Sequence, residues 1–251
     1  AAHECQKVAD FRPTRLMKGF FVTGTDTGCG KTEVSLGLIQ TLRRQGLKVQ
    51  GMKPVASGCV ASPQGLRNGD AQRLLVQSSH PVPYDWVNPY AFLPPIAPHI
   101  AAREAGIEID LGRIRHCAVA LAVQADLLVV EGVGGWRVPL GPALAVSDLP
   151  QALGLAVILV VGLRLGCLNH AALTAESILD RGCHLVGWVA NQIDPGLERR
   201  EEQLATLLAS IRAPCLGFIP RLVVSPAERL PEILASHLAI EKLWPEPDRY
   251  L

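Results

Sequence analysis

Apolar residues along the chain follow two alternating rhythms. Short strand-like runs recur at 20–23, 47–52, 126–131, 157–161, 186–191 and 216–219, several of them apolar without a break. Between them lie longer stretches in which apolar positions return every three or four residues. An unbroken apolar run predicts a strand buried on both faces, because a half-buried strand would show a polar residue at every second position. The longer rhythm predicts amphipathic helices. One helix is expected from Val34 through Leu38 and Leu42, with Gly46 as its stop, and others over 70–76, 111–124, 169–180, 197–211 and 226–234. Pro54 and Pro220 close the strands before them. Asp70 opens the second helix, where it reads as an N-cap. Strands alternating with helices predict an α/β fold with a mainly parallel, doubly wound sheet between two helical layers.

Residues 80–98 break the rhythm with prolines at 81, 83, 89, 94, 95 and 98, and are expected to form an irregular surface crossing or lid outside the core. They are too short for a linker between independent domains, so residues 17–251 read as one domain. Residues 1–16 lack an apolar segment of the secretory type and read as a disordered leader or an expression remnant. The longest apolar stretch, 149–168, is interrupted by Pro150, Gln151, Gly154 and Arg164, and its continuous part is too short to span a bilayer.

Composition narrows the functional classes. The chain has 251 residues, 49% of them hydrophobic, which suffices for a full core. A net charge of +1 and only 5% aromatic residues argue against nucleic acid as the main partner. The seven cysteines are scattered, without a Cys-x-x-Cys pair. That pattern fits reduced thiols and a cytoplasmic setting, and argues against a disulfide scaffold or a zinc site. The seven histidines form no helical metal pair and flank no nucleophile elbow.

The candidate chemistry starts at 19–33, where a strand-like run feeds Gly24, Gly28 and Gly30, then Lys31-Thr32 and a helix. This is the setting of a phosphate-binding P-loop. Glycines let backbone N–H groups turn toward phosphate oxygens, and the helix N-terminus adds positive partial charge. Lys31 reaches the terminal phosphates and the Thr32 hydroxyl can hold Mg²⁺. The first glycine lies one residue further from Gly-Lys than the usual spacing allows, with Thr25 in its expected place. Cys29 either gains reactivity from the helix N-terminus or simply fills the loop.

Ligands of open α/β sheets gather beyond the carboxyl ends of the strands. Glu131 ends an apolar strand in a Walker-B-like manner, and is either a metal carboxylate or the cap of a neighbouring helix. Asp70 is either a further metal ligand or the N-cap. Lys53, at the end of the second strand, either stabilises a transferring phosphoryl group or is a plain strand-end lysine.

The run Phe-Val-Thr-Gly-Thr-Asp-Thr-x-x-Gly-Lys-Thr at 21–32 resembles the dethiobiotin synthetase family, which carries the same longer spacing. The resemblance continues through Gly-Met-Lys-Pro-Val-Ala-Ser-Gly at 51–58, Gly-Leu-Arg-Asn-Gly-Asp at 65–70, Val-Asn-Pro-Tyr at 87–90 and Pro-His at 98–99. It extends through Val-Glu-Gly-Val-Gly-Gly-Trp at 130–136, Leu-Gly-Cys-Leu-Asn-His at 165–170, Gly-Trp-Val-Ala-Asn at 187–191 and Leu-Gly-Phe-Ile-Pro at 216–220. It implies a P-loop NTPase-like fold and an ATP- and Mg²⁺-dependent cyclo-ligase of biotin synthesis. Such an enzyme joins 7,8-diaminononanoate and CO₂ into the cyclic urea of dethiobiotin.

Carried over residue by residue, the resemblance implies Lys53 and Lys31 as catalytic, and Thr32, Asp70 and Glu131 as Mg²⁺ ligands. It implies nucleotide contacts from Gly28, Cys29, Gly30, Lys31, Thr32 and Glu33, and from Gly132, Val133 and Gly134 after Glu131. Asn191 and Gln192, with Pro220, Arg221 and Leu222, would surround the base. Thr27 and Ser57 would meet the substrate, and Gly166, Cys167, Leu168 and Asn169 would approach its carboxylate tail across the interface of a homodimer. Two departures stand out: Gly28 replaces a glutamate found in many relatives, and a ribose-contacting acid aligns with Ala227, one residue from Glu228. The competing class is a P-loop switch or partitioning ATPase. Such proteins usually carry an extra lysine early in the loop, and residues 23–29 contain none.

Overall fold

The computed structural model describes residues 17–222 and 230–243. In chain order the first half runs β1 (Gly19–Gly24), α1 (Lys31–Arg44), β2 (Val49–Met52), β3 (Val55–Ala56), β4 (Val60–Ser62), β5 (Gly65–Arg67), α2 (Gly69–Gln77), α3 (Tyr84–Val87), β6 (Tyr90–Ala91), α4 (Pro98–Glu104) and α5 (Leu111–Ala122). The second half runs β7 (Leu127–Glu131), α6 (Leu149–Leu153), β8 (Ala156–Leu163), α7 (Cys167–Asp180), β9 (Leu185–Gln192), α8 (Arg200–Ser210), β10 (Cys215–Ile219) and α9 (Leu230–Ser236). Six strands form one sheet in the order β10-β9-β8-β1-β7-β2, and every pairing in it is parallel.

The unbroken apolar runs are explained by two-sided burial. Phe20 and Val22 of β1 enter a core shared with α1, Leu74 of α2 and Leu234 of α9. Phe21 points the other way, into a core with Ile114, Ala118 and Leu121 of α5 and with α6. Strand β8 alternates likewise: Ile158 and Val160 join the α1 side, while Val157, Leu159 and Val161 pack with α7 and Leu207 of α8. Each such side chain contributes roughly 1.5–3 kcal/mol relative to exposure, so both faces are mainly apolar. Helix α1 stops as its sequence indicates. Gly46 takes a left-handed φ of 85°, and its N–H and that of Leu47 return to the Arg43 and Leu42 carbonyls.

Residues 80–98 correct the expectation of a surface lid. They carry α3 and β6, and Val87, Tyr90 and Phe92 are buried core residues. The prolines bound these short elements rather than exclude them: Pro83 precedes α3 and Pro98 starts α4. The stretch after Lys53 is also more ordered than a loop. Val55–Ala56 pairs in parallel with Tyr90–Ala91, and β4 and β5 form an antiparallel hairpin. Asp70 is not the N-cap of α2. The Asn68 side chain accepts from the Ala71 N–H at 3.1 Å, which places Asp70 inside the first turn. The helix expected at 226–234 is seen from Leu230 onward; its start at 226–229, the pair Ala227 and Glu228, and the leader at 1–16 lie outside the described residues. No described helix is long and apolar enough to cross a membrane.

Candidate active site

The sheet order places β7 between β1 and β2, so the groups that follow these three strands meet at one edge. The loop from Gly24 to Lys31 wraps that edge. Gly28 and Gly30 have φ of 71° and 96°, a region that favours glycine. Close approach fixes two glycines as well. A Cβ on Gly24 would stand 2.2 Å from the Cys29 sulfur, and one on Gly30 would stand 1.9 Å from the Asn191 side-chain nitrogen. Cys29 is fully buried, with Gly24 on one side and Gly162 on the other, which makes it a loop filler. Asn191, at the end of β9, donates from Nδ2 to the Cys29 carbonyl at 2.9 Å and braces the loop from beneath.

Glu131 is the hub of the site. Its side chain is wholly buried, and its Oε1 accepts from the Thr32 hydroxyl at 2.9 Å and from Lys53 Nζ at 2.6 Å. Lys53 Nζ also lies 3.5 Å from Asp70 Oδ2 and 3.4 Å from the Gly132 carbonyl. Burial opposes the Lys53 charge, but the Glu131 and Asp70 carboxylates outweigh it and hold the ammonium pKa above the ordinary lysine value. Lys53 is therefore a fixed, permanent cation facing the loop. Lys31 Nζ donates to the Asp26 carbonyl at 2.9 Å and lies 3.9 Å from the Cys29 sulfur.

The second Glu131 oxygen, Oε2, is buried and has no hydrogen-bond partner among the described residues. A buried carboxylate oxygen is costly to leave unpaired. Together with the Thr32 hydroxyl and the half-exposed Asp70 carboxylate, it makes a hard-oxygen donor set that fits Mg²⁺. The helix-cap alternative for Glu131 is not realised, since its described partners are Thr32 and Lys53.

These groups border a cleft of about 270 Å³. Thr27, Gly28, Gly30 and Glu33 line it from the loop and α1, and Val133 and Gly134 from the segment after β7. Ser57 lines it too, with its hydroxyl buried and unpartnered among the described residues. Other expected residues lie outside the cleft. Gln192 ends β9 and accepts from Arg200 at 3.5 Å, while Pro220, Arg221 and Leu222 follow β10. Gly166, Cys167, Leu168 and Asn169 form the turn into α7 beyond β8. Two participants escaped the sequence reading. Asn68 lines the cleft, and its place three residues before Ala71 at a helix start is a legible cap signal. Arg164 pairs with Asp26 at 2.5 Å and ties the loop to the end of β8. Nothing local marks that pair, because its members are 138 residues apart.

The arrangement can cradle a polyphosphate and offset charge on a transferring phosphoryl group. Comparison with known proteins specifies it further. Residues 18–229 match the family model described as an AAA domain. The chain is 56% identical over 229 residues to the ATP-dependent dethiobiotin synthetase BioD of Pseudomonas aeruginosa strain UCBPP-PA14, covering 90% of this chain and 98% of that one. It is 50% identical over 211 residues to the protein of the same name from Cellvibrio japonicus strain Ueda107, covering 84% and 92%. Among solved structures, the MinD cell division protein of Aquifex aeolicus is similar with a TM-score of 0.52. It shares 14% identity, over 89% of this chain and 88% of that one, a likeness of fold alone.

Proposed function

The chain belongs to the ATP-dependent dethiobiotin synthetase family, and we propose that the cleft at the β1–β7–β2 edge is where it carries out that ligase reaction. The substrates are 7,8-diaminononanoate, CO₂ and ATP. One substrate amine adds to CO₂ and loses a proton, giving a carbamate. A carbamate oxygen takes the γ-phosphoryl group and ADP leaves. The second amine then attacks the carbamoyl carbon, loses its proton and expels inorganic phosphate, which closes the five-membered urea.

The chain's own residues supply positioning and charge. The N–H groups of Gly28 to Thr32 and the start of α1 receive the phosphates. Lys31 exchanges its Asp26 carbonyl for phosphate oxygens, and Glu33, Gly132, Val133 and Gly134 complete the nucleotide wall. Lys53, facing from the β2 end, balances the charge that builds on the transferring group. Thr32, Asp70 and Glu131 would hold Mg²⁺, which supplies electrostatic neutralisation of the phosphates. Thr27 and Ser57, whose hydroxyl has no partner among the described residues, line the cleft and would meet the substrate's polar end. Asn191, Gln192 and residues 220–222 would face the base.

The observation that carries this reading is the convergence of Thr32 and Lys53 on one buried Glu131 oxygen while the other has no partner among the described residues. We also read the active form as a cytoplasmic homodimer. Leu165, just before the turn at 166–169, and Leu173, within α7, expose 87% and 58% of their surface, and a second copy of the chain would cover them. The likeness to MinD offers the switch-ATPase alternative nothing beyond fold. The test measures ADP release with each substrate omitted in turn, alongside sedimentation. ADP release that requires both diaminononanoate and bicarbonate is expected, with a two-fold species. Substrate-independent turnover would overturn the assignment, and a fully active monomer would overturn the dimer.

A further inference from the structure

The Val-Asn-Pro-Tyr segment at 87–90 has no part in the chemistry above, yet it reaches the site through a closed set of hydrogen bonds. Asn88 is 3% exposed, and its amide makes three of them. Nδ2 donates to the Lys53 carbonyl at 2.8 Å and to the Tyr90 carbonyl at 3.1 Å, while Oδ1 accepts from the Tyr84 hydroxyl at 3.0 Å. The Lys53 N–H donates to the Val87 carbonyl at 2.8 Å. The main chain of Lys53 is thus pinned on both sides by 87–88. The Tyr84 hydroxyl also accepts from the Asn68 N–H at 2.8 Å, and Asn68 caps the helix whose first turn carries Asp70. The Arg67 guanidinium covers the Tyr84 ring at 4.1 Å and fixes its orientation. One hydroxyl therefore joins two arms of the cleft. One arm presents the Lys53 ammonium, and the other presents the carboxylate 3.5 Å from it.

We propose that Tyr84 and Asn88 are positioning residues for the reaction: they hold the Lys53 main chain in register with the Asn68–Asp70 arm, so that the ammonium meets the transferring group without rearrangement. This rests on the reading of Lys53 as the cation for phosphoryl transfer. Neither residue lies among those that face the P-loop. Their effect passes through Lys53, where a displacement near 1 Å can cost on the order of a hundredfold in rate.

The test is Tyr84→Phe, which keeps the ring over which Arg67 lies and removes only the hydroxyl. Asn88→Leu, close in volume and without a donor, is the second variant should the first unfold. Single-turnover dethiobiotin formation, KM for ATP and the thermal midpoint are measured for each, and for each combined with Lys53→Gln. A roughly tenfold to hundredfold fall in the single-turnover rate is expected, with the KM for ATP within about threefold of wild type. In the Lys53→Gln background the same change should cost less than about twofold, because the group it positions is gone. A lower thermal midpoint with an unchanged rate in the folded enzyme would show a merely structural brace and overturn the proposal. So would an equal fall in both backgrounds. A slow Lys53→Gln beside a normal Tyr84→Phe overturns this proposal alone, whereas a normal Lys53→Gln removes the reading of Lys53 on which it stands.

Discussion

Gly30→Ala tests the fit of the loop against the sheet. Gly30 has φ of 96°, where an L-residue costs roughly 1–2 kcal/mol. The new methyl would lie 1.9 Å from Asn191 Nδ2, so the amide must leave. Its bond to the Cys29 carbonyl is then lost, and stranding a buried acceptor costs about 1–3 kcal/mol. The sum is about 2–5 kcal/mol, with a midpoint of about 3–4. Asn191→Ala alone should cost the hydrogen-bond part, about 2 kcal/mol, while leaving room for a methyl at position 30. The double variant should therefore be about as unstable as Gly30→Ala, not the 5–6 kcal/mol of simple addition, a coupling of about 2 kcal/mol. Urea unfolding measures all three, with a constant m-value as the check that the denatured state is unchanged. Additive losses would show that Asn191 does not fill the space beside Gly30. A loss under about 1 kcal/mol for Gly30→Ala would refute the close approach itself.

Other outcomes follow from the same geometry. Glu131→Gln keeps the shape and both acceptor contacts but removes the charge, so kcat should fall at least about a hundredfold, about 2.7 kcal/mol, with the fold intact. Normal turnover at saturating Mg²⁺ would take Glu131 out of the site. The two lysines should fail differently. Lys31→Gln weakens ATP binding and slows turnover, whereas Lys53→Gln mainly lowers the single-turnover rate, by several hundredfold or on the order of 3–4 kcal/mol; calorimetry with ATP separates them, and a rate within a few-fold of wild type in Lys53→Gln sinks its assignment. Gly28→Glu meets no atom within 4 Å of its Cβ, but it must adopt φ of 71°. It should fold with about 1–2 kcal/mol of strain and keep ATP affinity within about tenfold (~1.4 kcal/mol), and a larger loss by calorimetry would refute the open space at that position.

The six sheet strands were legible because most are dominated by apolar residues, as burial on both faces favours, although β2 buries Gln50 as well. The loop chemistry was legible because Gly28, Gly30, Lys31 and Thr32 act through local backbone geometry. What failed is instructive in the same terms. Residues 80–98 looked irregular because prolines mark boundaries as readily as they mark loops; Pro83 immediately precedes one helix and Pro98 begins another. Asp70 looked like a cap because aspartate and asparagine compete for that role, and Asn68, two residues earlier, took it. The pair of Arg164 with Asp26, and the path from Tyr84 to Lys53, depend on contacts between distant segments that no local pattern encodes.

Strand order explains why one carboxylate governs the site. The chain makes β1 and then β2, and adjacency would have put the P-loop directly beside Lys53. Instead β7 enters between them, pairing with β1 through Gly19 to Val22 and with β2 through Val49 to Met52. Its last residue is Glu131, so that side chain has Thr32 on one flank and Lys53 on the other and satisfies both with Oε1. Oε2 has no partner among the described residues and is left for another group. A shorter side chain on β7 would not bridge the two neighbouring strand ends. A neutral one would leave Lys53 buried, with the half-exposed Asp70 as its remaining counter-charge among the described residues, and burial would then act to lower its pKa. The carboxylate thus sets the charge of the lysine as well as the place of a cation. For that reason substitutions at Glu131 and Lys53 should be strongly non-additive in the single-turnover rate. A product of independent losses would mean that the two groups act separately.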